Sequence, residues 1–237
     1  MQLLSVLQNN ADWDKVDSSV AQLVIDDPVG SGEQFTAFLQ SGGRAGVVVV
    51  GNSTETQLAR WLSLYRAIGI TLDPSQVKIP ERKSGFDRLI VVSKGMTPQK
   101  AFDLCTARFG GKTRKYTSES LNTVVPTNDR TADKGPYAVW VRDLQEADEE
   151  LKNLSATMLT EQSIAGITLT ERLLLEIKYY GETKQHLDTE NWTLCSGSRN
   201  SGGGVPCVFW DDSGLEVDCC CVSSRDSVLR ARAVVTL

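Results

Sequence analysis

The segment Asn191-Trp192-Thr193-Leu194-Cys195-Ser196-Gly197-Ser198-Arg199 decides how the last part of this chain folds, because regular patterning stops where it ends. A second patterned segment, Leu229-Arg230-Ala231-Arg232-Ala233-Val234-Val235, follows about thirty residues later. These two stretches are called the border segments, and residues 200–228 between them the tail segment. The tail segment mixes the glycine run 202–204 with the cysteines 219–221 and scattered aspartates. Ordered borders around irregular contents indicate a surface whose residues vary.

Composition limits the classes of protein to which the chain can belong. Its 237 residues are 41% hydrophobic and 23% charged, as expected of a globular protein with a buried core. A net charge of -5 argues against a nucleic-acid partner, which needs a basic surface. The apolar run 47–50 is too short for membrane insertion, and residues 1–5 do not resemble a signal peptide. We therefore expect a cytoplasmic protein.

Six cysteines raise the question of a disulfide framework or a metal site. Cys105 and Cys195 precede the tail segment, and Cys207 and residues 219–221 lie within it. Three consecutive strand residues point to alternate faces, so their thiols do not converge on one metal ion. The sequence contains no Cys-x-x-Cys pair, and its single histidine is His186. We expect reduced thiols, with neither a metal nor a cofactor.

Residues 1–85 are interpreted as a small N-terminal α/β extension of unknown role. Residues 33–39 have short helical spacing and are followed by Gly42-Gly43, and residues 47–50 are a candidate buried strand. An amphipathic helix is predicted over residues 54–68, ending at Gly69. The polar, proline-containing stretch 73–85 has the composition of a connector.

Residues 86–237 are interpreted as a second domain of α+β class. A strand over 86–92 is followed by a helix that starts at Thr97-Pro98 and ends at Gly110-Gly111. Residues 137–142 alternate like a half-buried strand, and a capped helix is predicted from Thr168. Short strands with glycine-rich loops come next. This order favours an α+β domain over a parallel βαβ sheet.

The tail segment separates its residues between two faces. In a strand over residues 205–211, Val208 and Trp210 share one face, whereas Cys207, Phe209 and Asp211 share the other. Leu215, Val217 and Cys219 alternate in the same way with residues 216, 218 and 220. One face thus keeps core residues, and the opposite face carries a mixture that folding alone does not explain.

The tail segment is also depleted in five residue types. Upstream, Lys, Glu, Gln, Met and Trp make up about a fifth of the chain, so about seven are expected between Ser196 and Val228. That interval contains Trp210 and Glu216 alone. Codons of the form NNC or NNT encode none of these five types. Random replacement of adenines in AAC or AAT codons therefore accounts for the bias.

The chain resembles the variable proteins of diversity-generating retroelements, in particular the archaeal and candidate-phylum type. The resemblance covers residues 60 to 237 and is strongest from Asn128 onward. The segments that carry it are Asn128-Asp129-Arg130, Tyr137-Ala138-Val139-Trp140-Val141-Arg142-Asp143, Glu146-Ala147-Asp148-Glu149-Glu150, Gly166-Ile167-Thr168-Leu169-Thr170-Glu171-Arg172, His186-Leu187-Asp188, Trp192-Thr193-Leu194-Cys195-Ser196-Gly197-Ser198-Arg199 and Leu229-Arg230-Ala231-Arg232.

This resemblance implies a C-type lectin-like fold of the formylglycine-generating-enzyme type, with variable residues on a ligand-binding surface. It implies a non-enzymatic protein whose ligand is a protein or other macromolecule, and a scaffold role for Val208, Trp210 and Val217. The reverse transcriptase and template RNA of the retroelement act on the gene. The implied display positions are Asn200, Ser201, Gly203, Gly204, Cys207, Phe209, Asp211, Asp212, Ser213, Gly214, Asp218, Cys220, Cys221, Val222, Ser223, Ser224, Arg225, Asp226 and Ser227.

An enzymatic alternative stays open at this point. His186 and Asp188 form the one His/Asp pair, and formylglycine-generating enzymes, which share the implied fold, use cysteines. A thiol- or metal-dependent enzyme would need a concave pocket that converges on Cys219, Cys221 or His186. A structural histidine and exposed cysteines are the simpler interpretation, since a shared fold does not carry chemistry.

Overall fold

The computed structural model describes residues 53–237, together with Ile25, Ser31, Gly32 and Phe35. The chain divides into two compact units, Met1–Gly51 and Asn52–Leu237. Except for Phe35, which is helical, the helix predicted over residues 33–39 lies outside the described residues, as does the strand predicted over 47–50. The division between the units precedes the amphipathic helix, whereas the sequence interpretation set it after residue 85.

Two of the helices begin at the capping residues that the sequence predicts, Thr97 and Thr168. The described α-helices are α1 (Thr54–Ala67), α2 (Pro98–Arg108), α3 (Leu121–Val124), α4 (Ala156–Glu161) and α5 (Leu169–Thr183). Short 3-10 helices cover Pro74–Gln76 and Glu149–Leu151. None of the helices in the described part of the chain is both long enough and apolar enough to cross a bilayer.

Helix α1 belongs to the same compact unit as the strands because its buried face is bonded to the first of them. Trp61 and Tyr65 are fully buried. The indole of Trp61 donates to the Leu89 carbonyl at 2.8 Å, and the Tyr65 hydroxyl donates to the Val91 carbonyl at 2.6 Å. These bonds satisfy polar atoms that burial would otherwise leave without partners. They explain why the unit begins before α1.

The strands of the described residues form three sheets. They are β1 (Arg88–Val92), β2 (Thr113–Lys115), β3 (Thr127–Asn128), β4 (Tyr137–Val141), β5 (Trp192–Leu194), β6 (Ser198–Arg199), β7 (Val205–Asp211), β8 (Gly214–Cys220) and β9 (Leu229–Ala231). A five-stranded sheet has the order β2-β8-β7-β5-β9, and β1-β4 and β3-β6 form antiparallel pairs. Strand β2 is parallel to β8 and β9 is parallel to β5, whereas β7 is antiparallel to both β5 and β8. The five-stranded sheet is therefore mixed, and the class is α+β.

The prediction that the strand over 137–142 is half-buried was wrong. Strand β4 is buried on both faces, with Val139 and Trp140 fully buried. It lies between β1 and the chain around Val235, whose backbone exchanges two hydrogen bonds with Trp140. The alternation of side chains indicates the strand correctly, but it does not reveal that core residues cover both sides.

Helix α5 forms the centre of the core. Its N-terminus carries a capping box, in which Thr168 accepts from the Glu171 amide and the Glu171 carboxylate accepts from the Thr168 amide. The helix continues to Thr183 and ends at Lys184, which has a left-handed backbone (φ 61°). Eleven of its fifteen residues are buried. It therefore supports the sheet on one side.

Strands β7 and β8 form a hairpin whose two faces differ, as predicted. Their register pairs Val208 with Val217 and Trp210 with Leu215. The face that carries these side chains, together with Pro206 and Cys219, is called the core face. The opposite face, called the outer face, carries residues 205, 207, 209 and 211 from β7 and residues 214, 216, 218 and 220 from β8.

Candidate functional site

The first border segment is hydrogen-bonded to two of the other resembling segments, residues 128–130 and 166–172. Ser198 donates to Asn128 Oδ1 at 2.6 Å and accepts from the Leu169 amide at 2.9 Å. Arg130 donates to both carboxylate oxygens of the fully buried Glu171, at 2.7 and 2.9 Å. Segments from distant parts of the chain are thus bonded to one another, and they form a rigid base for the tail segment.

A buried ion network joins this base to the strands. The Asp188 carboxylate accepts from Arg172 at 2.9 Å, from Arg232 at 2.6 Å and from the Thr193 hydroxyl. Arg172 also pairs with Glu176 at 2.9 Å, and all four charged side chains are at most 1% exposed. A buried charge is tolerated only when it is paired and hydrogen-bonded. This network consequently fixes α5, β5 and the second border segment in one arrangement.

His186 is packed among aromatic rings. Its ring stacks between Tyr180 at 4.5 Å and Trp210 at 3.2 Å, and Phe109 meets it edge-on. Its Nδ1 lies 2.8 Å from Glu176 Oε1. Trp210 therefore packs against His186 from the core face of the hairpin.

The residues of the enzymatic alternative do not come together. The Asp188 carboxylate accepts hydrogen bonds from Arg172 and Arg232, and the His186 ring stacks on Trp210. Cys219, opposite Pro206, lies four residues along the hairpin from the pair of Trp210 with Leu215, which is about 13 Å along the strand.

A cleft of about 220 Å³ is lined by residues that include Met96, Asn122, Arg130 and Tyr137, but neither His186 nor any cysteine lines it. No group of three His, Cys, Asp or Glu in the described residues could hold a metal ion.

Three predicted display positions, Asn200, Gly204 and Gly214, are constrained by the turns in which they lie. The Asn200 side-chain oxygen accepts from the amides of Gly202 and Gly204, at 2.9 and 2.7 Å, and its nitrogen donates to Cys219 Sγ. A Cβ on Gly204 would lie 2.8 Å from Cys219 Sγ, and a Cβ on Gly214 (φ 118°) would collide with the Lys112 carbonyl. These three positions shape the turns and do not present side chains, a correction to the implied display surface.

Cys207 and Phe209 also lie inside. Cys207 is fully buried and Phe209 is 8% exposed. Phe209 stacks on Trp192 of the border segment, with ring centroids 4.3 Å apart and planes 11° apart. Next to Cys207, Leu194 and Val205 belong to a second core cluster with Leu151 and Leu159. The outer face is therefore covered around Cys207 and Phe209 and displays neither side chain. Trp192, an aromatic residue of the neighbouring strand β5, is the feature of the sequence that indicates the stack.

The remaining predicted positions are exposed or half-buried and form two groups. Loops 200–204 and 221–228 flank the end of the hairpin where Val205 pairs with Cys220. The turn at Asp212 and Ser213 lies at the other end, about 20 Å away along seven-residue strands. The exposed positions are Ser201, Gly203, Asp212, Ser213, Cys221, Val222, Ser223, Arg225, Asp226 and Ser227, and the half-buried ones are Asp211, Asp218, Cys220 and Ser224.

Loop 221–228 is held by residues that sequence reasoning did not identify. The Val222 carbonyl accepts from the Thr157 amide at 3.1 Å, and Arg225 donates to the Asn153 carbonyl at 3.0 Å. Within the loop, Asp226 accepts from the Val228 amide. No sequence signal near residues 153–157 reveals that this stretch supports a loop seventy residues later. The loop is thus exposed, and two hydrogen bonds connect it to residues 153–157.

The opposite turn has its own support from a strand that was not predicted. Arg114 of β2 pairs with Glu216 and lies 3.3 Å from Asp211. Both contacts are on the outer face, where β2 runs parallel to β8. More than half of the Arg114 side chain is exposed, so these ion pairs add little stability.

The thiols of the tail segment differ in environment. Burial raises the pKa of the Cys219 thiol, whereas a hydrogen bond from Cys207 lowers the pKa of Cys220. Cys221 is exposed to solvent. All six cysteines are free.

Searches with this chain match no protein-family model, no curated protein and no solved structure.

Proposed function

We propose that this chain is a non-enzymatic ligand-binding protein of the retroelement-diversified type, with a C-type lectin-like domain that presents the tail segment to a macromolecular partner. One observation carries the proposal. The β7–β8 hairpin buries Val208, Leu215 and Val217 completely, while the loops at its ends expose a mixture of Ser, Gly, Asp, Cys and Arg. A fixed scaffold with replaceable loops is the arrangement that a diversified binding protein requires.

The positions expected to contact the partner are fewer than those the resemblance implies. Residues 201–203 and 221–227, with the half-buried Asp218 and Cys220, form the main surface, and Asp212 and Ser213 form a second one. Asn200, Gly204 and Gly214 support turns, and Cys207 and Phe209 pack inside. The proposed main surface is therefore a single end of the hairpin.

The fold and location are part of the same proposal. The mixed five-stranded sheet and the central α5 are compatible with a C-type lectin-like domain. Arg225 and Asp226 lie side by side on the main surface, so it is not a basic stripe of the kind that binds nucleic acid. We place the protein in the cytoplasm, where its partner would be a protein or another macromolecule.

Sequencing of the 3′ end of the gene across the source population tests the proposal. We expect substitutions at codons of the exposed positions 201–203, 212–213 and 221–227, arising from adenines. Codons for Val208, Trp210 and residues 229–235 are expected to stay constant. Substitutions spread evenly over residues 53–237, or concentrated in α5, would contradict a diversified surface and return attention to a fixed site.

A second experiment needs no population sample. A library with residues 221–227 randomised by NNC codons is displayed on yeast and sorted for folded protein with a conformation-sensitive antibody. A matched library randomises the buried residues 205–208. We expect most members of the first library to fold and most members of the second to fail. Equal failure of both would show that loop 221–228 is structural.

A further inference from the structure

Two cysteines of the tail segment lie in contact across the hairpin. Cys207 of β7 is opposite Asp218, and Cys220 of β8 is opposite Val205, so the two cysteines are diagonal neighbours on the outer face. Their sulfur atoms are 3.3 Å apart. Diagonal neighbours on antiparallel strands are otherwise separated by about 7 Å, so this contact arises because both side chains lean toward each other.

A disulfide requires a sulfur separation of about 2.0 Å, so the two sulfurs need to approach by about 1.3 Å. Cys220 is the last residue of β8, and the loop that follows it begins at the exposed Cys221. Strand ends adjoining a loop shift more easily than central positions, which supplies the movement. Cys220 is also half-exposed and can be reached by a small oxidant, whereas Cys207 is buried behind it.

The other four cysteines are placed differently. Cys105 and Cys195 are fully buried, and their thiols contact the carbonyls of Leu173 and Thr193. Cys219 points to the core face, where it accepts a hydrogen bond from Asn200. Cys221 is exposed beyond the end of the strand. Within the described residues, Cys207 and Cys220 are the one pair of cysteines in sulfur-sulfur contact.

We propose that Cys207 and Cys220 are a reversible redox pair that closes a disulfide between β7 and β8 when the protein meets a low-molecular-weight disulfide such as oxidised glutathione. The Cys220 thiolate attacks one sulfur of the oxidant, which releases one thiolate and forms a mixed disulfide on Cys220. Cys207 then attacks the Cys220 sulfur and releases the second thiolate. Two protein S–H bonds are replaced by one S–S bond, and the oxidant leaves as two thiols that carry the two protons.

Closure would act on loop 221–228. The new bond lies one residue before the loop, on the strand that positions it, so it restricts how the loop moves relative to β7. Restraining a loop in one conformation lowers the entropy that it loses on binding. The redox pair would therefore adjust the binding surface, yet its existence does not depend on the proposed function, because the contact is a property of the hairpin itself.

The test uses the full chain, purified in reduced form and equilibrated with mixtures of reduced and oxidised glutathione. The protein is then unfolded, alkylated with N-ethylmaleimide and weighed by mass spectrometry. We expect a monomer that has lost two hydrogen atoms and carries four alkylated thiols. Trypsin has no cleavage site between Arg199 and Arg225, so a protease that cleaves after Asp and Glu is used to separate Cys207 from Cys220 and identify the linked peptides.

Two matched variants locate the bond. Cys220→Ser is expected to abolish the cross-link, and Cys221→Ser, one residue along, is expected to retain it. Persistence of the cross-link in Cys220→Ser would overturn the assignment. So would a wild-type protein that yields glutathione adducts or intermolecular dimers in place of the internal bond. Circular dichroism of both serine variants verifies that loss of the cross-link does not reflect unfolding.

Discussion

The carboxylate of Asp188 and the guanidinium of Arg232 lie 2.6 Å apart in the protein interior, although 44 residues separate them in the chain. Arg232 also donates to the carbonyls of Leu144 and Gln145, so this one side chain joins three distant segments. The second border segment is thus anchored by its only fully buried charge. This anchor keeps the end of the tail segment in place.

Replacing Asp188 by Asn tests the anchor. Asp188 has a left-handed backbone (φ 54°), which Asn tolerates, so the substitution removes the charge without straining the chain. We expect a loss of about 3–5 kcal/mol in the free energy of unfolding, because Arg172 and Arg232 lose their shared counter-ion in a desolvated site. Guanidinium-induced unfolding of both proteins provides the measurement.

The matched control is Asp212→Asn in the exposed hairpin turn, for which a change within about 0.5 kcal/mol is expected. If Asp188→Asn were as stable as this control, the network would not hold the borders, and the scaffold role assigned to it would be wrong.

Gly214 is expected to reject a side chain even though the resemblance counts it among the variable positions. Its φ of 118° is unfavourable for other residues, and a Cβ would collide with the carbonyl of Lys112. Gly214→Ala should therefore lower the free energy of unfolding by at least about 2 kcal/mol. Thermal unfolding compares it with Gly202→Ala, where the nearest atom to the added Cβ is 3.5 Å away and little change is expected. Similar melting temperatures for the two variants would refute the steric argument.

The sequence predicts the two faces of the hairpin correctly because strand periodicity depends on local residues alone. Val208 and Trp210 do share the core face, and Cys207 and Phe209 do share the other. Periodicity does not reveal what covers a face. The neighbours of Cys207, Leu194 and Val205, pack in a cluster with Leu151 and Leu159, and the ring against Phe209 comes from Trp192.

Helix caps, like strand periodicity, depend on residues that are close in sequence. The N-cap at Thr168 is local and was predicted, and the capping box with Glu171 is present. The parallel pairing of β2 with β8 connects Thr113 to Leu215, about a hundred residues apart, and no feature of residues 113–115 predicts it. For the same reason the supports of loop 221–228 at Asn153 and Thr157 could not be found from sequence.

Acid is expected to weaken the described unit through Glu182. Burial alone raises the pKa of Glu182, but Lys178 and Arg88 outweigh it and lower that pKa below 4.5, its usual value. A carboxyl group whose pKa is lower in the folded state stabilises the fold above its unfolded pKa, and this stabilisation disappears as pH falls through the folded pKa. Glu182→Gln should thus cost about 1–3 kcal/mol at pH 7, where the wild-type group is ionised and bonded to both cations.

The measurement is the free energy of unfolding by urea from pH 7 down to pH 3. The difference between wild type and Glu182→Gln should shrink as pH drops below 4.5. Glu161→Gln, a substitution of the same kind at an exposed position, should show no such convergence. A Glu182→Gln difference that stayed constant with pH would mean that the ionised carboxylate is not what stabilises α5.

Substitution by a large side chain distinguishes residues of the proposed binding surface from the buried residues that support it. Cys207 is fully buried next to the second core cluster, so Cys207→Tyr forces a ring into filled space and should cost about 1–3 kcal/mol or prevent folding. Ser223 is exposed in loop 221–228, and Ser223→Tyr should leave the free energy of unfolding within about 0.5 kcal/mol of wild type. Chemical denaturation measures both. If Cys207→Tyr folds as stably as Ser223→Tyr, the outer face has room for variation at that position, and the wider display surface implied by the resemblance is the correct one.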